Sequence, residues 1–128
     1  MPTVEQIHDT VESYVQSFNQ RDKQAFLSIF AESAEQIDPV GTPPRKGKQA
    51  IETFWDSIFG ICESVEFQIR DLFISGNEAA LVFHILQHFR GSGGAVVDGI
   101  DVFRVDDNGQ IVAIRGYSDQ NHVKSLSA

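Results

Sequence analysis

A chain of 128 residues with 18 Asp and Glu against ten Lys and Arg has the size of one domain and a formal charge of −8, a field that repels phosphate backbones and anionic lipid. Hydrophobic residues at 41% and charged residues at 22% are ordinary globular usage, which excludes a disordered or low-complexity chain. With one cysteine (Cys62), no Cys/His cluster of zinc-ligand spacing, no apolar run near the roughly 20 residues of a membrane span and no basic, apolar leader after Met1, the expectation is a cytoplasmic protein. Neither nucleic-acid nor membrane partners are expected, and its chemistry is expected to fall to carboxylates, hydroxyls and histidines.

Helices come first. Thr3 with Gln6 three residues on fits a capping box, and Ile7, Val11, Tyr14, Val15 and Phe18 follow at helical spacing. A second, shorter helix is expected from about Asp22, carrying Phe26, Leu27, Ile29 and Phe30. A third over Gln49–Phe59 places Ile51, Phe54, Trp55 and Ile58 on one stripe. Between them Glu35–Ile37 reads as an edge strand, and Asp38-Pro39-Val40-Gly41-Thr42-Pro43-Pro44 as a loop, because its prolines forbid a regular element. After Gly60 the period changes to two, with Val65, Phe67 and Ile69 alternating against Glu66, Gln68 and Arg70. Strands at about Ala79–Phe89, Ala95–Val105 and Gln110–Tyr117 follow, joined by Gly91–Gly94 and by Asp106-Asp107-Asn108-Gly109. Helices followed by a strand meander predict a single α+β domain over 1–128: a curved antiparallel sheet with three N-terminal helices across its concave face, and a pocket between the layers.

Three polar residues are turned inward by the patterns around them. Tyr14 lies on the apolar stripe of the first helix, where its hydroxyl either satisfies a core carbonyl or serves a ligand. Asp38 precedes Pro39, where a carboxylate either caps a turn or faces the pocket. Asp101 is the one carboxylate on a strand face that otherwise reads Val97, Gly99, Phe103, Val105. In such a setting it ionises with difficulty and tends to remain a neutral hydrogen-bond donor, unless it reaches a surface Lys or water at the strand end.

These residues lie within a set that is in register over nearly the whole chain: Tyr14-Val15, Phe18-Asn19, Ile37-Asp38-Pro39-Val40-Gly41, Pro44-Arg45, Gly47, Ala50-Ile51, Phe54, Asn77-Glu78-Ala79-Ala80, Ile100-Asp101 and Phe103-Arg104. On that set the chain resembles the ketosteroid isomerases of the NTF2-like (SnoaL-like) superfamily, cone-shaped domains of cystatin-like fold. The resemblance implies that Asp38 is a general base moving a proton between two carbons, and that Tyr14 and a protonated Asp101 hydrogen-bond the oxyanion formed at a ketone. The implied reaction shifts a C=C bond from β,γ to α,β relative to that ketone, on a steroid-like substrate and without a cofactor. Val40, Phe54, Trp55, Val65, Phe83, Ile85 and Phe103 are the expected apolar lining. The resemblance also implies a homodimer through the outer sheet face, where Ile100, Val102 and Val112 supply apolar area.

Trp55 stands where the family often has a tyrosine, and Ser118 where it usually presents an aromatic, with Tyr117 one residue away. A polyketide cyclase and a non-catalytic pocket for hydrophobic ligands are the rival readings. His84 and His88 are about 13 Å apart along a strand, too far to share a metal. His8 sits beside Asp9, and His122 falls in a polar tail. Glu32 and Glu35 could pair with Asp38 for hydrolysis but read as exposed. Asp106–Gly109 lacks the downstream glutamate of a calcium loop, so no metal site is expected.

Overall fold

A computed structural model describes residues 1–127. Helix α1, Val4–Asn19, starts at the expected capping box: the Thr3 hydroxyl accepts from the Gln6 amide at 3.0 Å while the Gln6 side chain accepts from the Thr3 amide at 2.8 Å. Helix α2, Lys23–Ser28, is capped by Asp22, and α3, Lys48–Ile61, follows Gly47 at φ 86°, backbone that glycine adopts without penalty. The strands are β1 (Phe30–Ile37), β2 (Arg45–Lys46), β3 (Cys62–Ser75), β4 (Glu78–Phe89), β5 (Gly94–Val105), β6 (Ile111–Tyr117) and β7 (Val123–Leu126). They form one sheet in the order β2-β1-β6-β5-β4-β3, with β7 paired to β5.

The meander β3 to β6 is antiparallel throughout, as its turns predict. In the Asp106 turn, the side chain accepts from the amides of Asn108 and Gln110 and is thereby spent on the hairpin itself. Three features differ from the sequence reading. Phe30 belongs to β1 rather than α2, because Ile111 takes up the Ile29 carbonyl at 2.8 Å and pulls the chain into the sheet. Residues Glu35–Ile37 are not an edge, since β2 flanks them on one side and β6 on the other. The β1–β6 pairing is parallel, so the sheet is mixed. The tail carries a 3-10 turn, Gln120–His122, and then β7.

The three helices cover one face of the sheet. Ile7, Val11, Tyr14 and Phe18 of α1 enter a common core with Phe67, Leu81, Phe103 and Ile114 from four strands. Asn19 fixes the end of α1 to β3 by donating to the Phe67 carbonyl at 3.0 Å and accepting its amide at 2.6 Å. Thr10 donates to the Gly109 carbonyl at 2.7 Å. Bulges between Cys62 and Ser64 and between Ile69 and Asp71 bend the long β3. Among the described residues no helix is long and apolar enough to cross a membrane.

Candidate active site

Tyr14 reaches the sheet from the buried stripe of α1 and is 2% exposed. Its ring is held edge-on by Phe18, Phe67 and Phe103, with centroids at 5.2, 6.0 and 5.0 Å, and this leaves the phenol little freedom of direction. Asp101 projects inward from the middle of β5 and is 4% exposed, between Leu81 of β4 and Gly116 of β6 in the ladder. Asp38 follows the last residue of β1. The loop after it folds back onto β6 through the Val40 amide, which donates to the Gly116 carbonyl at 2.8 Å.

That return places the Asp38 carboxyl directly over Gly116. A Cβ at 116 would lie 2.5 Å from the Asp38 Cγ and 2.8 Å from Oδ2, so only glycine leaves the carboxyl its place. Gly116 therefore brings two acids together, one on β5 and one just after β1: Asp101 is its ladder partner, and Asp38 occupies the space its missing side chain leaves open. Tyr14, Asp38 and Asp101 line one small cavity of about 50 Å³.

Burial pushes the Asp38 carboxyl up from 3.8 to about 6, and the Arg45 guanidinium opposes the rise. Arg45 lies over the Phe54 ring at 5.2 Å and approaches the Asp38 carbonyl at 3.5 Å. Burial, and then the charge of Asp38, push Asp101 well above the carboxylate range and favour its neutral acid. Burial, then Asp101 and Asp38, raise the Tyr14 phenol as well. The cavity can thus hold one ionised carboxylate opposite two protonated donors, a set suited to taking a proton from carbon while hydrogen-bonding the oxygen that becomes negative.

Of the expected apolar lining, Val65, Phe83 and Ile85 face this cavity together with Phe18, Ile58, Phe67 and Gln87. The other four are placed differently. Trp55 falls on the buried stripe Ile51, Trp55, Phe59 and fills the space between helices, 5.0, 4.8 and 4.6 Å from the rings of Phe18, Phe26 and Phe59. Phe103 is wholly buried beneath the Tyr14 ring, and Phe54 packs on Arg45. Val40 lines a second cleft of about 490 Å³ beside the break between β6 and β7. Val82, Asp98, Ile100 and Tyr117 of the outer sheet face also line it, and Tyr14, Asp38 and Asp101 do not. Ser118 lies in that cleft. Tyr117 pairs with Ile100 on the outer face, so neither supplies an aromatic wall to the cavity of the acids.

Gly116, Gln87 and Arg45, with the lining residues Phe18, Ile58 and Phe67, were not among the site residues expected from the sequence. Gly116 is signalled by an isolated glycine inside a strand, which marks close approach of another group. Gln87 continues the inward alternation Leu81, Phe83, Ile85. Arg45, far from Asp38 in pattern though near in chain, gives no such signal. Glu35 lines an outer groove with Val102 and Arg104, and Glu32 is exposed near Lys48, so neither joins Asp38. His84, His88 and His122 each meet one carboxylate, those of Asp98, Glu66 and Asp119. Among the described residues no three potential metal ligands gather.

Residues 11–114 match the family model described as a SnoaL-like domain. Over 93 residues, 73% of each chain, the sequence is 32% identical to a steroid delta-isomerase of Nocardioides simplex. Among solved structures, a Delta 5-3-ketosteroid isomerase from Mycobacterium sp. superposes with a TM-score of 0.85 at 22% identity, covering 94% of this chain and 98% of that one. SalBIII, an epoxide hydrolase/cyclase-like enzyme of salinomycin pyran-ring formation, superposes with a TM-score of 0.88 at 21% identity, covering 96% and 98%. RV0760c of Mycobacterium tuberculosis, in complex with estradiol-17beta-hemisuccinate, gives 0.84 at 22% identity over 93% and 98%. At such identities the structural likeness is one of fold.

Proposed function

The chain belongs to the SnoaL-like domain family, and we propose that within it the chain is an isomerase that moves a C=C bond from β,γ to α,β relative to a ketone on a steroid-like fused-ring substrate. The observation that carries this reading is the pair of acids in one cavity, one raised only to about 6 and the other held toward its neutral form, with a buried phenol beside the second. The ionised Asp38 removes a proton from the carbon between ketone and alkene. The electron pair passes through the enol system to the ketone oxygen, where Tyr14 and Asp101 each donate a hydrogen bond. The protonated Asp38 returns the same proton to the far carbon of the dienolate as the C=O bond re-forms. Atoms and electrons balance within the substrate, and Asp38 ends as it began.

Asp101 serves as a donor only while neutral, since a second negative charge would oppose the oxyanion. Loss of the base costs about 10² to 10⁴ in rate, and loss of one oxyanion donor about 10² to 10³. At about 50 Å³ the cavity is smaller than a fused ring system, so such a substrate would extend from it past the half-buried Ile58, Ile85 and Gln87.

The test is enone absorbance from a 5-ene-3-ketosteroid. Turnover is expected in the wild type and nearly abolished in Asp38→Asn, while Tyr14→Phe and Asp101→Leu lower kcat more than they raise KM. Tight binding of a phenolic steroid without turnover would instead indicate a non-catalytic ligand-binding module. Turnover only of a polyketide ketone would indicate a cyclase. We further propose that two copies pair through the outer sheet face, where Ile100 is 40% exposed beside Val102. Light scattering of a monomer at micromolar concentration would refute the pairing.

A further inference from the structure

Asp38 has to be ionised to act, and a single basic side chain stands near it. Strand β2 returns beside β1 with Arg45 opposite Gln36, so the loop that begins at Asp38 carries Arg45 back to within two residues of it along β1. The half-buried guanidinium is held from two sides. Its Nη1 approaches the Asp38 main-chain carbonyl at 3.5 Å, and its Cζ lies 5.2 Å from the centroid of the Phe54 ring. Among the described residues it has no ion pair with a carboxylate, unlike Lys23, which holds Glu52 and Asp56, and Lys48, which holds Glu32.

The charges that face Asp38 can be taken element by element. Tyr14 comes from α1 and Asp101 from β5, both protonated in the proposed reaction, and the lining from α3, β3 and β4 carries no charge. Strand β6 presents Gly116, and β2 presents Arg45, whose charge is opposite in sign to the carboxylate. A cation in direct contact would pull the carboxyl far down and occupy an oxygen that has to take the proton. A cation held back does part of the first and none of the second.

We propose that Arg45 is a positioning residue for the base. The Phe54 ring and the Asp38 carbonyl hold its guanidinium near enough to favour the carboxylate and away from the oxygens that carry the proton. Burial by itself raises the Asp38 carboxyl, and this arginine opposes the rise. Planarity suits arginine to the place: a guanidinium stacks on a ring face while directing an N–H at a carbonyl, whereas an ammonium is a strongly hydrated point charge. The part played in catalysis rests on the isomerase reading; the effect on the carboxyl does not.

The experiment follows the Asp38 carboxyl in two ways. One is the pH profile of kcat/KM on a 5-ene-3-ketosteroid, and the other is a carbon-13 NMR titration of the free protein, its signal assigned by its loss in Asp38→Asn. The wild type is expected to titrate at about pH 6 in both. Arg45→Met, which keeps the apolar length and loses the charge, is expected to move both midpoints up by about one unit. Arg45→Lys, which restores the charge without the planar fork, is expected to recover about half of that shift. Phe54→Leu is expected to move the midpoints in the same direction by less, and to add nothing in the background of Arg45→Met. Unmoved midpoints in Arg45→Met overturn the proposal even where the rate falls, because a merely structural residue lowers the rate at every pH. Equal shifts in Arg45→Met and Arg45→Lys overturn it too, and a Phe54→Leu shift that persists without the arginine overturns the part given to the ring. A wild type without turnover, whose Asp38 signal still moves up in Arg45→Met, overturns the isomerase reading and supports the placement of Arg45.

Discussion

Gly116→Ala isolates the placing of Asp38 from the chemistry of Asp38. The added methyl group would sit 2.5 Å from the Asp38 Cγ, whereas ordinary contact begins near 3.4 Å, so the carboxyl must recede by about 1 Å. The backbone of β6 has no reason to change: Gly116 is in regular strand, lies outside the positive-φ set, and keeps both its ladder position and the bond from the Val40 amide. Alanine also loses less backbone entropy than glycine on folding, by roughly 0.5–1 kcal/mol, which offsets part of any repacking cost. Stability should therefore move little. A misplacement of about 1 Å at a reacting group costs on the order of 10² in rate. The assay is kcat on a 5-ene-3-ketosteroid beside the urea midpoint of the same preparation, with an expected fall in kcat of about 100-fold and a midpoint near that of the wild type. An alanine variant with kcat within threefold of the wild type would show that Asp38 is not held over residue 116, and the geometry derived for the base would be wrong.

The pH profile follows from the Asp38 carboxyl, raised to about 6: log kcat/KM should rise with unit slope to about pH 6 and level off above it, and a profile flat down to pH 4.5 would remove Asp38 as the base. The same shift sets a stability prediction of definite sign. A carboxyl that holds its proton more tightly folded than unfolded contributes stability fully below about pH 4, and that contribution is lost as pH rises through about 6. Asp38→Asn should consequently be more stable than the wild type at pH 7, by up to about 3 kcal/mol, and the two should converge near pH 4 in urea titrations. Gln36 is wholly buried on β1, and neither atom of its amide has a hydrogen-bond partner among the described residues. Gln36→Leu should accordingly raise stability by about 1–3 kcal/mol, and a loss of that size in the same titration would show that the amide is paired.

The site combines two demands that oppose one another. Burial that keeps Asp101 neutral also raises Asp38, which has to be ionised to act. The two acids are separated by degree of enclosure and by a counter-charge. Asp101 is buried in the middle of β5, whereas Asp38 is half-buried and near Arg45, whose guanidinium is steadied on the Phe54 ring. Phe54 thus bears on the base through the arginine that moderates its charge.

Periodicity and turn chemistry in the sequence determined α1 with its capping box, the apolar face of α3, the strand meander and the inward direction of Tyr14 and Asp101. These are properties of neighbours a few residues apart, which a one-dimensional pattern records. Only the tertiary structure decided that Phe30 leaves the helix for a strand, that β1 lies between β2 and β6, and that Trp55 and Phe103 fill the core. Each depends on a partner distant in the chain: Phe30 on Ile111, Trp55 on Phe18 and Phe26, Phe103 on Tyr14. The meeting of Asp38 with Gly116 belongs to the second kind as well. Local sequence marks one as a turn carboxylate and the other as a missing side chain. Seventy-odd residues of intervening chain must fold before the space left by one is filled by the other, because steric fit is a property of position in space and the sequence records only order.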